Sequence, residues 1–405
     1  MREHRLLGDL FTLEYGNALP SEKRSGHGYP VFGSSGLVGL HQEPLVAGPG
    51  IIVGRKGTVG SITWSESSFW PIDTAYFVQP KTTLSLRWLF WLLKSLPLGR
   101  LDTSTGVPGL NRNYVANIPA FVPLLSEQHR IAEILDILDR TIEGTQRVID
   151  KLQASRQGLL HDLLTQGLDE HRQFRDPKRN PELFTETKLG WLPVEWNVDS
   201  LVSRALEGIP HVRTGPFGTA LKGEHWTEQG TPVITIGALG EGNFIEEELL
   251  FVGSDTVKRL KSYLVEPGNL VFSRVADVGR SAVVGSDESG WLMSSNLMRL
   301  SLNSAKVDPH YFQITLSSSK TVRSQIRRAV NAGGREVANT AVLNSLLFPW
   351  PSLGEQQRIV DIIDVHNARV INEKNKLTKL QVLQRGLMHD LLTGRVRVPV
   401  AEAEV

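Results

Sequence analysis

The stretch Pro123–Thr165, PLLSEQHRIAEILDILDRTIEGTQRVIDKLQASRQGLLHDLLT, is written a second time at Pro351–Thr393 as PSLGEQQRIVDIIDVHNARVINEKNKLTKLQVLQRGLMHDLLT. The offset is a constant 228 (351 − 123), no gap is needed, and 18 of the 43 positions are identical. The identities include Glu127/Glu355, Gln128/Gln356, Arg130/Arg358 and Lys151-Leu152-Gln153 against Lys379-Leu380-Gln381. Whatever one copy folds into, the chain must accommodate twice.

In the first copy Ile131, Leu135, Leu138, Ile142, Thr145, Ile149, Leu152, Arg156, Leu159 and Leu163 recur at alternating spacings of four and three, a heptad seam. The second copy places Ile359, Ile363, His366, Val370, Glu373, Leu377, Leu380, Gln384, Leu387 and Leu391 on the same seam, with polar interruptions near its middle. Each helix is expected to start after a proline, to carry Glu127 or Glu355 in its electropositive first turn, and to stop near Gly167 or Gly394. At about 1.5 Å per residue, a helix of roughly 40 residues is about 60 Å long and cannot bury its stripe alone. Either each helix packs on its own globular neighbour or the two seams pair. Equal length and phase favour pairing. The short stretch after Thr165 favours an antiparallel arrangement, with the globular segments at opposite ends of a rod.

A chain of 405 residues has room for two or three cored domains. No apolar run approaches membrane-spanning length, and MREHRLLGDL lacks a signal-peptide core, so the expected location is the cytoplasm, with no membrane partner. Cysteine is absent, which removes disulfides, thiol catalysis and cysteine-ligated metals. The net charge of +1 says little by itself; the placement of the charges matters more.

Residues 1–122 form a first globular segment of short β-like runs and glycine turns: 28–39, 50–60 and 75–78. A helix follows over 84–96, and 106–113 reads as a loop. After the first long helix (123–167), the charged, proline-interrupted segment 168–195 is a linker by composition. Residues 196–350 repeat the plan at greater length, with strands at 233–236 and 269–274 and a helix over 311–330. The second long helix (351–394) and a tail (395–405) follow. Gly54-Arg55-Lys56-Gly57-Thr58-Val59-Gly60 lines up with Ser273-Arg274-Val275-Ala276-Asp277-Val278-Gly279, and Gly106 and Asn111 fall on Gly334 and Asn339 at the offset of 228. The fold class is therefore α+β: two mixed α/β globular domains, two long helices forming an antiparallel coiled coil, and a pseudo-two-fold internal repeat.

Motifs for chemistry are missing. There is no methyl-donor loop, Asn/Asp-Pro-Pro-aromatic clamp, Walker loop, HExxH, GxSxG or EF-hand. Gly33-Ser34-Ser35-Gly36 has no motif-placed histidine, and the repeated His161 and His389 suit packing or partner contact better than metal ligation. No catalytic residue, metal or cofactor is expected on this chain. Arg55, Lys56, Arg112, Arg213, Arg274, Arg280 and Arg335 instead sit at strand ends or in glycine loops, while Arg323, Arg327 and Arg328 make a basic helix face. Arginine on a loop can bond guanine O6 and N7 together, and asparagine can do the same to adenine. A basic helix face suits phosphate. A single surface arginine is more often merely solvated, but a set matched across two copies points to double-stranded DNA. Ser34, Ser35, Asn111 and Asn339 join it as candidates.

The segment ends PLLSEQHRIAEIL and PSLGEQQRIVDII, each leading into a long helix that closes in HDLLT, together resemble the DNA-specificity subunit of type I restriction–modification systems. So do Gly190-Trp-Leu-Pro-Val-Glu-Trp196, Tyr29-Pro-Val-Phe-Gly-Ser-Ser-Gly36 and Leu392-Thr-Gly-Arg-Val-Arg-Val398. The resemblance covers essentially the whole chain. It implies two target-recognition domains, each reading half of an asymmetric split site, with the helices as a ruler for the unread spacer. It also implies two modification subunits that dock on the helices, bring S-adenosylmethionine and methylate a flipped adenine. Two restriction subunits using ATP and Mg complete the nuclease where present. The alternatives are a self-sufficient DNA-binding regulator, which needs no partner-facing long helices, and an enzyme with an unrecognised site.

Overall fold

The computed structural model describes residues 3–101, 109–275, 278–332 and 337–399. These divide into two units, Met1–Ile149 with Asn372–Val405, and Asp150–Ile371.

The first unit runs β1 (Glu3–Leu6), α1 (Leu7–Leu10), β2 (Phe11–Tyr15), β3 (Tyr29–Gly33), β4 (Gly36–His41), β5 (Gly50–Gly54), β6 (Ile62–Ser65), β7 (Trp70–Pro71) and β8 (Ala75–Pro80). It continues through α2 (Leu86–Ser95), α3 (Arg112–Ala116), β9 (Pro119–Val122) and the first part of α4 (Leu125–Thr165). Strands β2-β8-β5-β6 make an antiparallel sheet, β4-β3-β7 a smaller one with β3 parallel to β7, and β1 pairs with β9. The apolar run of β5 is buried at every position, as a strand covered on both faces should be. Helix α2 begins at Ser85, whose hydroxyl accepts the Trp88 N–H, and drives Trp88, Leu89, Trp91 and Leu93 into the core.

The second unit carries β10 (Phe184–Thr187), β11 (Gly190–Pro193), β12 (Asn197–Ser200), β13 (Val212–Thr214), β14 (Trp226–Thr227), β15 (Thr231–Ile234), β16 (Leu250–Val252) and α5 (Ser254–Arg259). Then come β17 (Leu270–Ser273), β18 (Ser281–Val283), β19 (Leu292–Met293), β20 (Leu297–Leu300), α6 (Pro309–Ser318), α7 (Lys320–Ala332), α8 (Thr340–Ser345), β21 (Leu347–Trp350) and α9 (Leu353–Leu392). Its sheets follow the first unit's topology with one strand added: β13-β20-β17-β18 answers β2-β8-β5-β6, β14-β16-β15-β19 with a parallel β15·β19 pair answers β4-β3-β7 and extends it by β14, and β12·β21 answers β1·β9. The duplication thus extends to lobes whose sequences had mostly diverged. The single helix expected over 311–330 is instead two. The chain turns extended at Ser319, whose hydroxyl then accepts the Val322 N–H, because serines here offer the backbone an alternative to helical bonding.

Each unit holds one part of α4 against one part of α9, running antiparallel. In the first, Ile131, Ala132 and Leu135 pack with Leu391 and Leu392, and the Gln384 amide donates to Asp139 at 2.9 Å. In the second, Leu160, Leu163 and Leu164 pack with Ile359 and Ile363, and Arg156 reaches Asn367 at 3.3 Å. Leu138 and Ile149 are buried. Ile142, Leu152, Leu159, Val370, Leu377, Leu380 and Leu387 are half-buried. Of the seam read from the spacing, Ile131, Leu135, Leu163, Ile359, Ile363 and Leu391 lie in these clusters.

The repeated Glu-Gln pair fastens each helix start. Gln128 accepts the backbone N–H of Ser85, the cap of α2, and donates to the Pro123 carbonyl, at 2.9 Å each. Gln356 likewise accepts the N–H of Asp308, the cap of α6, at 2.9 Å and donates to Pro351 at 3.0 Å. Glu127 binds Arg397, from the tail that follows α9, through both carboxylate oxygens. Glu355 binds Arg175, from the segment that follows α4, at 2.6 and 3.2 Å, and also accepts from the Leu168 N–H and the Trp196 indole. Burial works against the Arg175 charge, yet its bonds to Glu355 and Glu195 outweigh it and hold its pKa above the ordinary value. For Arg397 the bond to Glu127 does the same. The segment 168–195, linker-like in composition, is therefore folded: Leu168 is buried and β10 and β11 form a hairpin.

Candidate nucleic-acid interface

The two lobes carry the same construction at one end of the large sheet. In the first, β5 runs into Arg55 and a tight loop returns at Gly60, whose N–H bonds the Gly54 carbonyl at 2.8 Å with φ +74°. In the second, β17 runs into Arg274, and Gly279, at φ +104°, bonds the Ser273 carbonyl at 3.3 Å. Positive φ is cheap only for glycine, which explains its place in both loops. The Arg55 N–H donates to Thr74 and its carbonyl accepts from Leu110; the Arg274 N–H donates to Asn296 and its carbonyl accepts from Ala338. The backbone of each arginine is thus fixed on both sides.

Beside them, Asn111 and Asn339 cap α3 and α8, accepting the backbone N–H of Asn113 and Val342 at 2.9 Å. Their shared offset therefore has a structural basis: each caps a short helix. Asn339→Ala is expected to cost about 1 kcal/mol in urea unfolding, and Asn339→Asp, which keeps the acceptor, close to nothing. Equal losses would remove the cap from the account.

Around Arg55 lies a cleft of about 460 Å³ lined by Tyr15, Arg55, Lys56, Tyr76, Asn111, Arg112 and neighbouring backbone. The Arg55 and Arg112 guanidinium carbons lie 4.7 and 5.0 Å from the Tyr15 ring centre, and Arg55 donates to the Asp73 carbonyl at 3.0 Å. Three cations and no carboxylate line the cleft among the described residues, so it suits an anion that also offers flat surfaces. Tyr76 donates to the Leu110 carbonyl, and burial, helped by Tyr15, pushes its phenol above the usual range against the opposing pull of Arg55 and Arg112. It stays neutral, a wall of the cleft. Ser34 adjoins the same loop, its N–H on the Thr74 hydroxyl at 3.4 Å and its carbonyl accepting from the Ser61 hydroxyl; Ser35 stands exposed beside it.

In the second lobe Arg280 flanks the Arg274 loop, its carbonyl accepting the Ser273 N–H and its buried Nε without a partner. Arg213 is committed elsewhere, over Tyr263 at 5.5 Å with a bond to the Ser262 carbonyl. It faces Arg299 across β13 and β20; burial and the Arg213 charge lower the Arg299 pKa. Arg323 points back to the Val278 carbonyl at 3.0 Å, while Arg327 and Arg328 are exposed. Gly106, Gly334 and Arg335 lie outside the described residues. Tyr15, Tyr76, Tyr263 and Arg299 were absent from the sequence-derived set. Only the position of Tyr15 at the end of an alternating strand could have hinted at one of them. Among the described residues no cluster of three or more histidines and carboxylates could hold a metal, and no helix is long and apolar enough to cross a membrane.

Against known proteins, the family described as the type I restriction modification DNA specificity domain matches residues 3–154 and 201–382. The chain belongs to that family, whose members are the DNA-binding specificity subunits of type I restriction–modification systems. It is 24% identical over 358 residues to the type I restriction enzyme MjaVIII specificity subunit of Methanocaldococcus jannaschii, covering 86% of this chain and 76% of that one. Its fold is similar to that of the type I restriction–modification S subunit from M. genitalium, with a TM-score of 0.59 at 17% identity over 97% and 96% of the two chains. A structure described under complex assembly and conformational transition of the type I R-M system aligns with a TM-score of 0.55 at 15% identity over 98% of both chains.

Proposed function

We propose that each lobe reads one half of an asymmetric, two-part DNA site, with target-recognition domains at 1–122 and 196–350, and that α4 and α9 set the length of the unread spacer. The observation that carries this is the repeated sheet end, with Arg55 and Arg274 fixed alike and three carboxylate-free cations around the first. Because the lobes differ in the side chains they set there, the half-sites differ. The chain itself is non-catalytic and works in the cytoplasm. S-adenosylmethionine is held by two modification subunits, and ATP and Mg by restriction subunits where these join. Ile137 and Val365 stand at the same place in the repeat and are 50% and 72% exposed, which supports two equivalent docking points on the long helices.

Co-expression with its genomic neighbours, followed by sequencing of methylated adenines, is expected to give one split motif with a modified adenine in each half. A continuous motif, or methylation by the isolated chain, would sink the proposal. Arg274→Ala in the complex is expected to weaken discrimination in one half-site by about 1–3 kcal/mol, as for a bidentate base contact. A loss spread evenly over all sequences would make Arg274 a phosphate contact instead.

A further inference from the structure

We infer that Phe217 is a wedge that enters the duplex in the half-site read by the second lobe and unstacks one base step, an inference that rests on that lobe reading DNA. Phe217 is 85% exposed, more than any other large apolar side chain among the described residues. It stands on a rigid stem. The Gly215 N–H donates to Leu297 at 2.9 Å, and a Cβ on Gly215 would run into the Ser294 carbonyl, so only glycine passes there. Pro216 is buried, the Ala220 N–H closes the turn on the Phe217 carbonyl at 2.8 Å, and Leu221 is buried with Val233, Val252, Leu260 and Leu292. An aromatic ring presented this way loses little freedom when it binds.

Its location supplies the partner. The backbone against which Gly215 packs, Ser294 and Ser295, leads directly to Asn296, whose carbonyl fixes Arg274. The loop therefore leaves the sheet at the end where Arg274 stands. Beside a cation placed for DNA, an exposed phenyl ring has no hydrogen bond to offer a base edge or a phosphate; it can meet a thymine methyl or stack between bases, as inserted apolar side chains do when they kink a duplex, and its protrusion from the loop favours the second. The equivalent glycine in the first lobe, Gly16, packs the same way, with its N–H on Ala75 and no room for a Cβ beside Pro71 and Ile72. There Asn17-Ala18-Leu19-Pro20 follows, with Leu19 buried and no aromatic side chain. The distortion belongs to one half-site only.

The test uses the complex of the full chain with its modification subunits, on duplexes carrying its methylated motif, with 2-aminopurine moved along the half-site that Arg274→Ala disturbs. Besides the methylated adenine, where flipping itself brightens the probe, the wild type is expected to brighten one further position. Phe217→Ala should abolish that signal and weaken binding about tenfold, Phe217→Trp should restore both, and a mismatch placed at the step should rescue Phe217→Ala because it is already unstacked. Unchanged brightening in Phe217→Ala overturns the wedge. So does loss of modification subunits from that variant with normal DNA binding by the complexes that remain, which would make Phe217 a protein contact. A wild-type complex with no preference for any split motif removes the underlying reading, and the wedge with it.

Discussion

Glu355→Ala is expected to cost about 3–5 kcal/mol of stability, the range for removing one partner of a buried ion pair. The Glu355 side chain is 3% exposed and that of Arg175 10%, so little water can replace what is lost. The substitution leaves the Arg175 guanidinium with the exposed Glu195 as its remaining carboxylate and takes the acceptor from the Leu168 N–H and the Trp196 indole at once. Glu355→Gln keeps the shape without the charge and should fall between wild type and alanine. Glu127→Ala should cost less, because its partner Arg397 is 36% exposed and can be hydrated. Urea unfolding of the full chain measures all three. Equal losses at 127 and 355, or a loss below about 1 kcal/mol at 355, would contradict the clamp.

Inserting one heptad after Ile149 and another after Ile371, where α4 and α9 pass from one unit to the other, is expected to lengthen the spacer of the methylated motif by about three base pairs. Seven residues add about 10 Å of helix, and whole heptads keep the seam in phase. Both half-sites should keep their sequences, because neither sheet end is touched. Methylome sequencing of the variant gives the answer directly; an unaltered spacer would show that something other than helix length sets it.

The seam was legible because a 4,3 spacing of apolar residues has few other meanings, and the antiparallel pairing followed from chain order. The roles of Glu127, Gln128, Glu355 and Gln356 were not. Their identity across the copies was plain, but apart from the prolines five residues before each glutamine, the groups described above as binding them lie 43 to 270 residues away in the chain. The matched arginines at 55 and 274 were visible as a strand running into a cation. The aromatic lining was not, since Tyr15 joins Arg55 and Arg112 only when β2, β5 and α3 come together. Composition misled at 168–195, where a charged, proline-rich surface conceals two anchors, Leu168 and Arg175. It misled again at Ser319, where local hydroxyl bonding stopped a helix that apolar periodicity would have continued.

The two units are put together differently along the chain. Residues 150–371 form the second without a break, whereas the first needs 372–399 to cover Ile131 and Leu135 and to neutralise Glu127. During synthesis the second can close while the first still waits with its apolar stripe uncovered, until α9 leaves the ribosome. A stalled or shortened product would therefore be most prone to aggregate at the lobe that was translated earliest.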